Sequence, residues 1–240
     1  MYSSDCGASV IRVNYDEFGF VCELHYLDEN HKPVMTKYGY ASWYEYRDDL
    51  GRLLRYETRD IQGNLVCGNN NFAATECTYD AFGNVESVVY LNKKNELGYH
   101  SDGFSVVTYE YENGNVVQER YYDHNFDPIN NIEGYHACIK EYENGNCVCK
   151  YYVDTNNKLI LSNKELYSLY MYEYDEKGNV CKIVAGEDDV QKNMLIINRE
   201  FDKQGNIVRE ERNDVFNEIC VESSVTAYNY DIYGNVLAEQ

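Results

Sequence analysis

Eight times along this chain an aromatic residue, a short polar run and a glycine are followed, two places beyond the glycine, by an apolar residue. The glycines are Gly19, Gly51, Gly83, Gly114, Gly145, Gly178, Gly205 and Gly234, and the apolar positions are Val21, Leu53, Val85, Val116, Cys147, Val180, Ile207 and Val236. The aromatics are Tyr15, Tyr46, Tyr79, Tyr111, Tyr142, Tyr174, Phe201 and Tyr230, and an acidic residue follows all of them except Tyr46. Asp and Asn bond their own backbone, and glycine enters left-handed dihedrals without a Cβ clash, so each polar run predicts a tight reversal. A tyrosine or threonine stands five residues after the apolar position in five repeats (Tyr26, Thr58, Tyr90, Tyr121, Tyr152). Such alternation of β-branched and aromatic residues predicts a strand on either side of the reversal.

Successive glycines are 32, 32, 31, 31, 33, 27 and 29 residues apart, a spacing in the range of stacked repeats. The expectation is an all-β fold: a single elongated domain over residues 1–240, made of about eight β-hairpin repeats with a period of about 31 residues, forming a solenoid or spiral-like antiparallel sheet. Each repeat of such an array buries its core against its neighbours. A second reversal is predicted at Asp28–Pro33, Asp60–Asn64, Asp123–Pro128 and Asp154–Lys158. Gly39-Tyr40, Gly98-Tyr99 and Gly134-Tyr135 form a third recurring mark, predicting a bulge or a close backbone approach that breaks this arm into two short pieces. Ser162–Tyr167 has the composition to cap one helical turn.

Side chains alternate in a strand, so Tyr44 and Tyr46, Tyr109 and Tyr111, Tyr172 and Tyr174, and Tyr228 and Tyr230 are expected to pair on one face as a tyrosine ladder, with Glu45, Glu110 and Glu173 on the other. Core packing accounts for that ladder better than a ligand stripe. Tyrosine suits the task because its ring packs while its hydroxyl reaches water, and 26 of the 240 residues are tyrosine.

The net charge of −20 and pI near 4.5 disfavour nucleic acid and anionic membrane surfaces as partners, since phosphate contacts need Lys and Arg. No apolar run approaches the ~20 residues of a bilayer-spanning helix, and Met1 to Val10 lacks a basic and an apolar signal region. A cytoplasmic location is expected if the chain is full length, and a cell-surface or secreted one if it belongs to a longer repeat protein. Nine scattered cysteines, an odd number, point to a reducing or anaerobic setting rather than a disulfide framework. Cys147 stands where Val116 and Val180 stand, while Cys22 and Cys181 stand where Leu54 and Val117 stand, so these are expected as small buried hydrophobes.

Candidate chemistry is sparse. Asp123–Asp127 carries the alternating oxygens that open a calcium loop, yet Pro128 occupies the place of its glycine and no closing glutamate follows. Cys-x-x-Cys spacing is absent, and the five histidines fall at unrelated repeat positions apart from His100 and His136, which both follow Gly-Tyr. Without a nucleophile elbow, P-loop or dinucleotide fingerprint, the expectation is no enzyme activity, no catalytic residue, no metal and no cofactor.

Units such as Tyr174-Asp175-Glu176-Lys177-Gly178-Asn179-Val180, Tyr79-Asp80-Ala81-Phe82-Gly83-Asn84-Val85 and Tyr230-Asp231-Ile232-Tyr233-Gly234-Asn235-Val236 resemble the Tyr-Asp-x-x-Gly-Asn core of bacterial RHS/YD repeats. The resemblance covers essentially the whole chain, with a longer period than that family usually shows. It implies spirals of β-hairpins in secreted or surface-displayed proteins, where the array is shell, spacer or adhesive surface and any enzyme lies in a separate domain. A weaker likeness, in Tyr111–Asn115 and Tyr142–Asn146, is to MORN-type repeats, which include antitoxin-like cytosolic proteins. The functional expectation is a non-catalytic module presenting an acidic, tyrosine-rich surface to a protein or glycan. The alternative is a cytosolic acidic inhibitor that blocks a basic toxin or nuclease site. Loops at hairpin rims meet partners without breaking a ladder, so the candidate binding residues are Tyr40, Tyr99 and Tyr135 with Asp80, Asp175 and Asp231.

Overall fold

The computed structural model describes residues 6–165, 167–187, 193–216, 219–231 and 234–239. Ile232 and Tyr233 of the last repeat motif lie outside them. The described residues form sixteen strands and no helix: β1 Val10–Tyr15, β2 Val21–Leu27, β3 Ser42–Arg47, β4 Leu53–Arg59, β5 Ala74–Tyr79, β6 Val85–Leu91, β7 Val106–Glu112, β8 Asn115–Tyr122, β9 Ala137–Glu143, β10 Asn146–Val153, β11 Leu169–Tyr174, β12 Val180–Gly186, β13 Asn193–Phe201, β14 Ile207–Phe216, β15 Ile219–Tyr230 and β16 Val236–Glu239. Strand order in the sheet is the order along the chain. The all-β hairpin array expected from the repeat is therefore the fold observed. The chain divides into two compact units: Met1–Glu110 with Glu119–Ile132, and Tyr111–Gln118 with Glu133–Gln240.

All eight repeat glycines have positive φ, so the reversals stand where the sequence places them. In unit 1, Gly19 N donates to Asp16 O at 3.1 Å while Asp16 Oδ1 accepts from the backbone N of Phe18 and Phe20. The same bonds recur at Asp48 and Asp80, and in unit 2 at Asp175 and Asp202. The asparagine after the glycine completes the motif, since Asn84 Nδ2 donates to Asp80 Oδ2 at 2.8 Å and Asn179 Nδ2 to Asp175 Oδ2 at 2.9 Å. One residue beyond the Asp turn the ladder slips: Tyr79 faces Val85 and Tyr174 faces Val180 across a bulge. Gly114 and Gly145 differ from the other six. Each follows an asparagine that also has positive φ, Asn113 at 50° and Asn144 at 51°, giving the two-residue primed turn whose twist suits a hairpin.

The second repeat departs from its expected register. Arg47, not Tyr46, faces Leu53 across the bulge, and Asp48 caps the turn. Tyr46 sits one position early, and a one-residue slip sends a side chain to the other face of the sheet. Tyr44 and Tyr46 therefore lie on the opposite face of their hairpin from Trp43 and Tyr56, whose rings are 6.1 Å apart. They lie with Glu57, which accepts from Tyr46 Oη at 3.0 Å, and with Arg59, whose guanidinium sits 4.6 Å from the Tyr44 ring centre. Glu57 is buried, which disfavours its charge, yet hydrogen bonds from Arg59, Arg55 and Tyr46 outweigh burial and hold its carboxyl below the usual range.

The second turns form as expected, with Asp28, Asp60, Asp123 and Asp154 each accepting two backbone N–H bonds, and Asn92 heads a further one. The third mark is a third turn rather than a bulge, closed by Gly39 N to Thr36 O, Asn71 N to Gly68 O and Gly103 N to His100 O. Its members place a positive-φ residue directly before an aromatic: Gly39-Tyr40, Asn71-Phe72, Gly103-Phe104 and Gly134-Tyr135. Residues 163–165 make a bend rather than a helical turn, and Leu166 of that predicted segment lies outside the described residues.

These loops cover one face of the sheet with rings. In unit 1, Tyr40 lies 6.0 Å from Tyr26, Phe72 lies 5.1 Å from Tyr90, and Phe104 lies 5.5 Å from Tyr90 and 4.6 Å from Tyr121. In unit 2, Tyr135 lies 4.5 Å from Tyr152. Offset and tilted rings at such separations add to the area they bury. Successive loops are also joined by backbone bonds: Lys37 N to Cys6 O, Asn69 N to Tyr38 O, Ser101 N to Asn70 O and Ile132 N to Asp102 O in unit 1, and Asn163 N to Glu133 O in unit 2. None of the nine cysteines is joined in a disulfide; Cys6 and Cys138 are buried, whereas Cys22, Cys147 and Cys181 are only half-buried. Their thiols lie against strand carbonyls, Cys22 on Asn14 and Cys181 on Glu173.

Candidate functional site

The six candidate residues fall into two groups at opposite ends of the hairpins. Asp80, Asp175 and Asp231 sit at the first turns, and Tyr40, Tyr99 and Tyr135 in the loops at the other end, separated by strands of six or more residues, about 20 Å. A single line of rim contacts is therefore not what they form.

The three aspartates are half-buried and already engaged. Both carboxyl oxygens of each accept hydrogen bonds within the turn. Side-chain donation by Asn84 and Asn179, followed by backbone N–H groups, holds the Asp80 and Asp175 carboxyls below the usual carboxylate range. Bonding to the charged form favours it.

The tyrosines divide further. Tyr135 is 7% exposed and packs on Tyr152, so it is a member of the aromatic core and not a rim residue. Tyr40 is half-buried between Tyr26 and Tyr38. Tyr99 is not equivalent to either. Gly98 lacks positive φ and donates its N–H to Tyr90 O, as Val34 donates to Tyr26 O and Val66 to Thr58 O. The kink aromatic of that repeat is Phe104, five residues later.

Freed from the core row, Tyr99 stands over an open groove of about 470 Å³ that it shares with Val66, Cys67, Asn71, Asn92, Lys93, Lys94 and Glu96. The turn headed by Asn92, whose Oδ1 accepts from Lys94 N at 2.8 Å, holds Lys93 and Lys94 at the lip. Tyr99 Oη lies 2.7 Å from His124 Nδ1 with the rings edge to face at 5.5 Å, which fixes the tyrosine's orientation. Asn71 Nδ2 donates to Tyr99 O at 3.1 Å and ties the floor to the same loop. The groove thus offers one aromatic face, two amides, a carboxylate and two ammonium groups. Of these the sequence reading identifies Tyr99 alone, although the 32-residue spacing of Tyr40, Phe72 and Phe104 is the signal that separates it from the core row.

Among the described residues no cluster of three or more His, Cys, Asp or Glu side chains is placed to hold a metal. No helix among them is long and apolar enough to cross a membrane.

No protein-family model matches the chain. No curated protein matches it either. Among solved structures, the crystal structure of TcdB2-TccC3-TEV is similar at 14% identity over 93% of this chain with a TM-score of 0.45. That of TcdB2-TccC3 without its hypervariable C-terminal region is similar at 13% over 95% with a TM-score of 0.46, and the Tc holotoxin pore of Photorhabdus luminescens at 13% over 92% with a TM-score of 0.43. This chain spans 12% of the length of each.

Proposed function

We propose that this repeat protein is a non-catalytic binding module, and that it meets a protein or glycan partner through the loop end of its hairpins, centred on Tyr99. The observation that carries the reading is the Tyr99 groove itself. Elsewhere the recurring residues are spent on the fold: the first-turn aspartates cap their own turns and the kink aromatics pack on strand tyrosines. At Tyr99 an oriented ring sits beside amide, carboxylate and ammonium groups, the mixture of one apolar face and a few placed polar groups that fixes a ligand's orientation. A sugar face or a partner's side chain stacks on the ring, and its hydroxyl or amide groups meet Asn71, Asn92 and Glu96. The charge of −20 adds long-range attraction for a basic protein surface.

The test is a defined glycan array and a panel of purified basic proteins, each probed with labelled wild type and Tyr99→Ala. Retention of a subset, weakened at least tenfold by Tyr99→Ala with an unchanged circular dichroism spectrum, supports the reading. Retention that Tyr99→Ala leaves unaltered moves the site elsewhere, and retention by neither panel removes the function. For a basic protein ligand, affinity falls as salt rises from low to physiological strength.

A further inference from the structure

The ring row of unit 1 is interrupted once. Strand positions 26, 90 and 121 carry tyrosines that the covering loops pack against, whereas position 58, in the same register, carries threonine. Thr58 is 3% exposed, so the missing ring is missing from the interior. At that point the structure has a cavity of about 130 Å³, bounded by the rings of Tyr40, Tyr56 and Phe72, with buried Thr58 inside and exposed Asn69 and Asn70 at its mouth. Tyr56 leans toward the gap without closing it, 6.5 Å from Phe72.

We propose that this cavity is a binding site for one neutral aromatic ring of phenol size, taking the place that a tyrosine of the chain fills in the neighbouring repeats. Size agrees, since an apolar cavity of about 150 Å³ holds benzene. Shape agrees as well, because the surrounding rings present edges and faces to a planar guest. No Lys, Arg, Asp or Glu lines the cavity, and a charged guest would lose its hydration there without a partner. The polar groups select a guest with a donor. Thr58 Oγ1 spends its proton on Val66 O at 2.7 Å and Asn69 Nδ2 spends one on Lys37 O at 3.0 Å, so the hydroxyl and amide oxygens remain as acceptors for a phenolic O–H. Gly68 keeps the wall thin: a Cβ there would stand 3.2 Å from Tyr40 Cδ1. The site is distinct from the Tyr99 groove and does not depend on the protein or glycan reading.

The experiment titrates phenol, with cyclohexanol as the non-planar control, into the full chain, reading thermal shift and saturation-transfer NMR. Phenol is expected to raise the melting temperature and to receive saturation from protein resonances, with cyclohexanol at least tenfold weaker. Thr58→Tyr is expected to raise the melting temperature without ligand and to weaken phenol binding at least tenfold, whereas Thr58→Val, which keeps the space and leaves the Asn69 oxygen as acceptor, weakens binding by less than tenfold. Thr58→Leu is a second blocking variant, should the tyrosine not be accommodated. Absence of binding to wild type at about 10 mM phenol overturns the proposal. Binding undiminished in a folded blocking variant also overturns it.

Discussion

The hydroxyl of Tyr79 donates to the main-chain carbonyl of Leu53 at 2.7 Å, joining the aromatic of one repeat to the bulged apolar residue of the repeat before it. Tyr174 does the same to Cys147 at 2.7 Å and Tyr230 to Ile207 at 2.9 Å. A bulge disturbs the strand ladder at that residue, and the tyrosine of the next hairpin supplies a donor. The ring therefore packs one repeat on its neighbour while its hydroxyl fixes the offset between them, which gives a physical reason for tyrosine at a position where any apolar residue would pack.

Removing that hydroxyl isolates its contribution. Tyr79→Phe and Tyr174→Phe are each expected to destabilise by about 1 kcal/mol, the net worth of one hydrogen bond with its acceptor left unpaired. Chemical denaturation checks it. The reverse change, Phe201→Tyr, supplies a hydroxyl at the equivalent place and is expected to raise the midpoint; if all three midpoints stay at the wild-type value, the bonds contribute nothing.

Gly178 has φ of +84° and nothing within 4 Å of where a Cβ would stand. Gly178→Val is thus penalised by backbone conformation alone, by about 1 kcal/mol or more, because a β-branched residue strongly resists that region. Gly178→Asn, which tolerates it, is expected to lose less. Equal midpoints for the two variants would show that conformation is not the cause.

The turn carboxylates make one part of stability acid-sensitive. Asn179 and the turn's N–H groups lower the Asp175 value below 3.8 in the folded chain. The stabilisation from its ionised form is accordingly complete well above pH 3.8 and is lost as the pH falls through the lowered value. The difference in melting temperature between wild type and Asp175→Asn is expected to be constant from pH 8 to pH 5 and to shrink below about pH 4. A difference that persists at pH 2 would show that the charge is not what the turn uses.

At the other end of the scale, burial pushes the phenols of Tyr26, Tyr90 and Tyr170 up from 10.0 to about 12. Folding raises these values, so their stabilisation is complete below pH 10 and is lost as the pH rises toward 12. Absorbance titration is expected to show a late class of tyrosines, ionising near pH 12, that appears together with loss of the β-sheet circular dichroism signal. A single transition at pH 10 with the fold intact would count against the buried row.

The first turns were legible in the sequence because their chemistry is local: Asp, Gly and Asn act on backbone within four residues. Two irregularities were not. Tyr46-Arg47-Asp48 reads as an aromatic with a late acid, yet Arg47 takes the aromatic's place, lying 4.8 Å from the Phe20 ring and donating to Gly51 O; alignment on the aspartate instead of the ring recovers the register. Gly98-Tyr99 mimics Gly39-Tyr40 in composition, but Gly98 is required by its closeness to Asn92, 3.0 Å from a virtual Cβ, and not by its dihedrals. What a glycine is for depends on what lies beside it in space, and a one-dimensional pattern does not carry that. The Tyr99 groove and the gap at Thr58 both arise where the repeat fails to repeat.

The backbone bonds between successive covering loops have a bearing on how such a chain changes length over generations. Each joins residues thirty or thirty-one positions apart, from Lys37 to Cys6 through Asn163 to Glu133. Unequal crossing-over that duplicates or excises one whole period leaves every donor opposite an acceptor, because donors and acceptors alike recur once per period. A copying slip of one or two codons inside a loop instead displaces the bonds that span it, while partners that both lie beyond it keep their separation. Gain and loss of whole repeats is then the mutational route the architecture tolerates best, and the irregular repeats, once present, travel as intact cassettes.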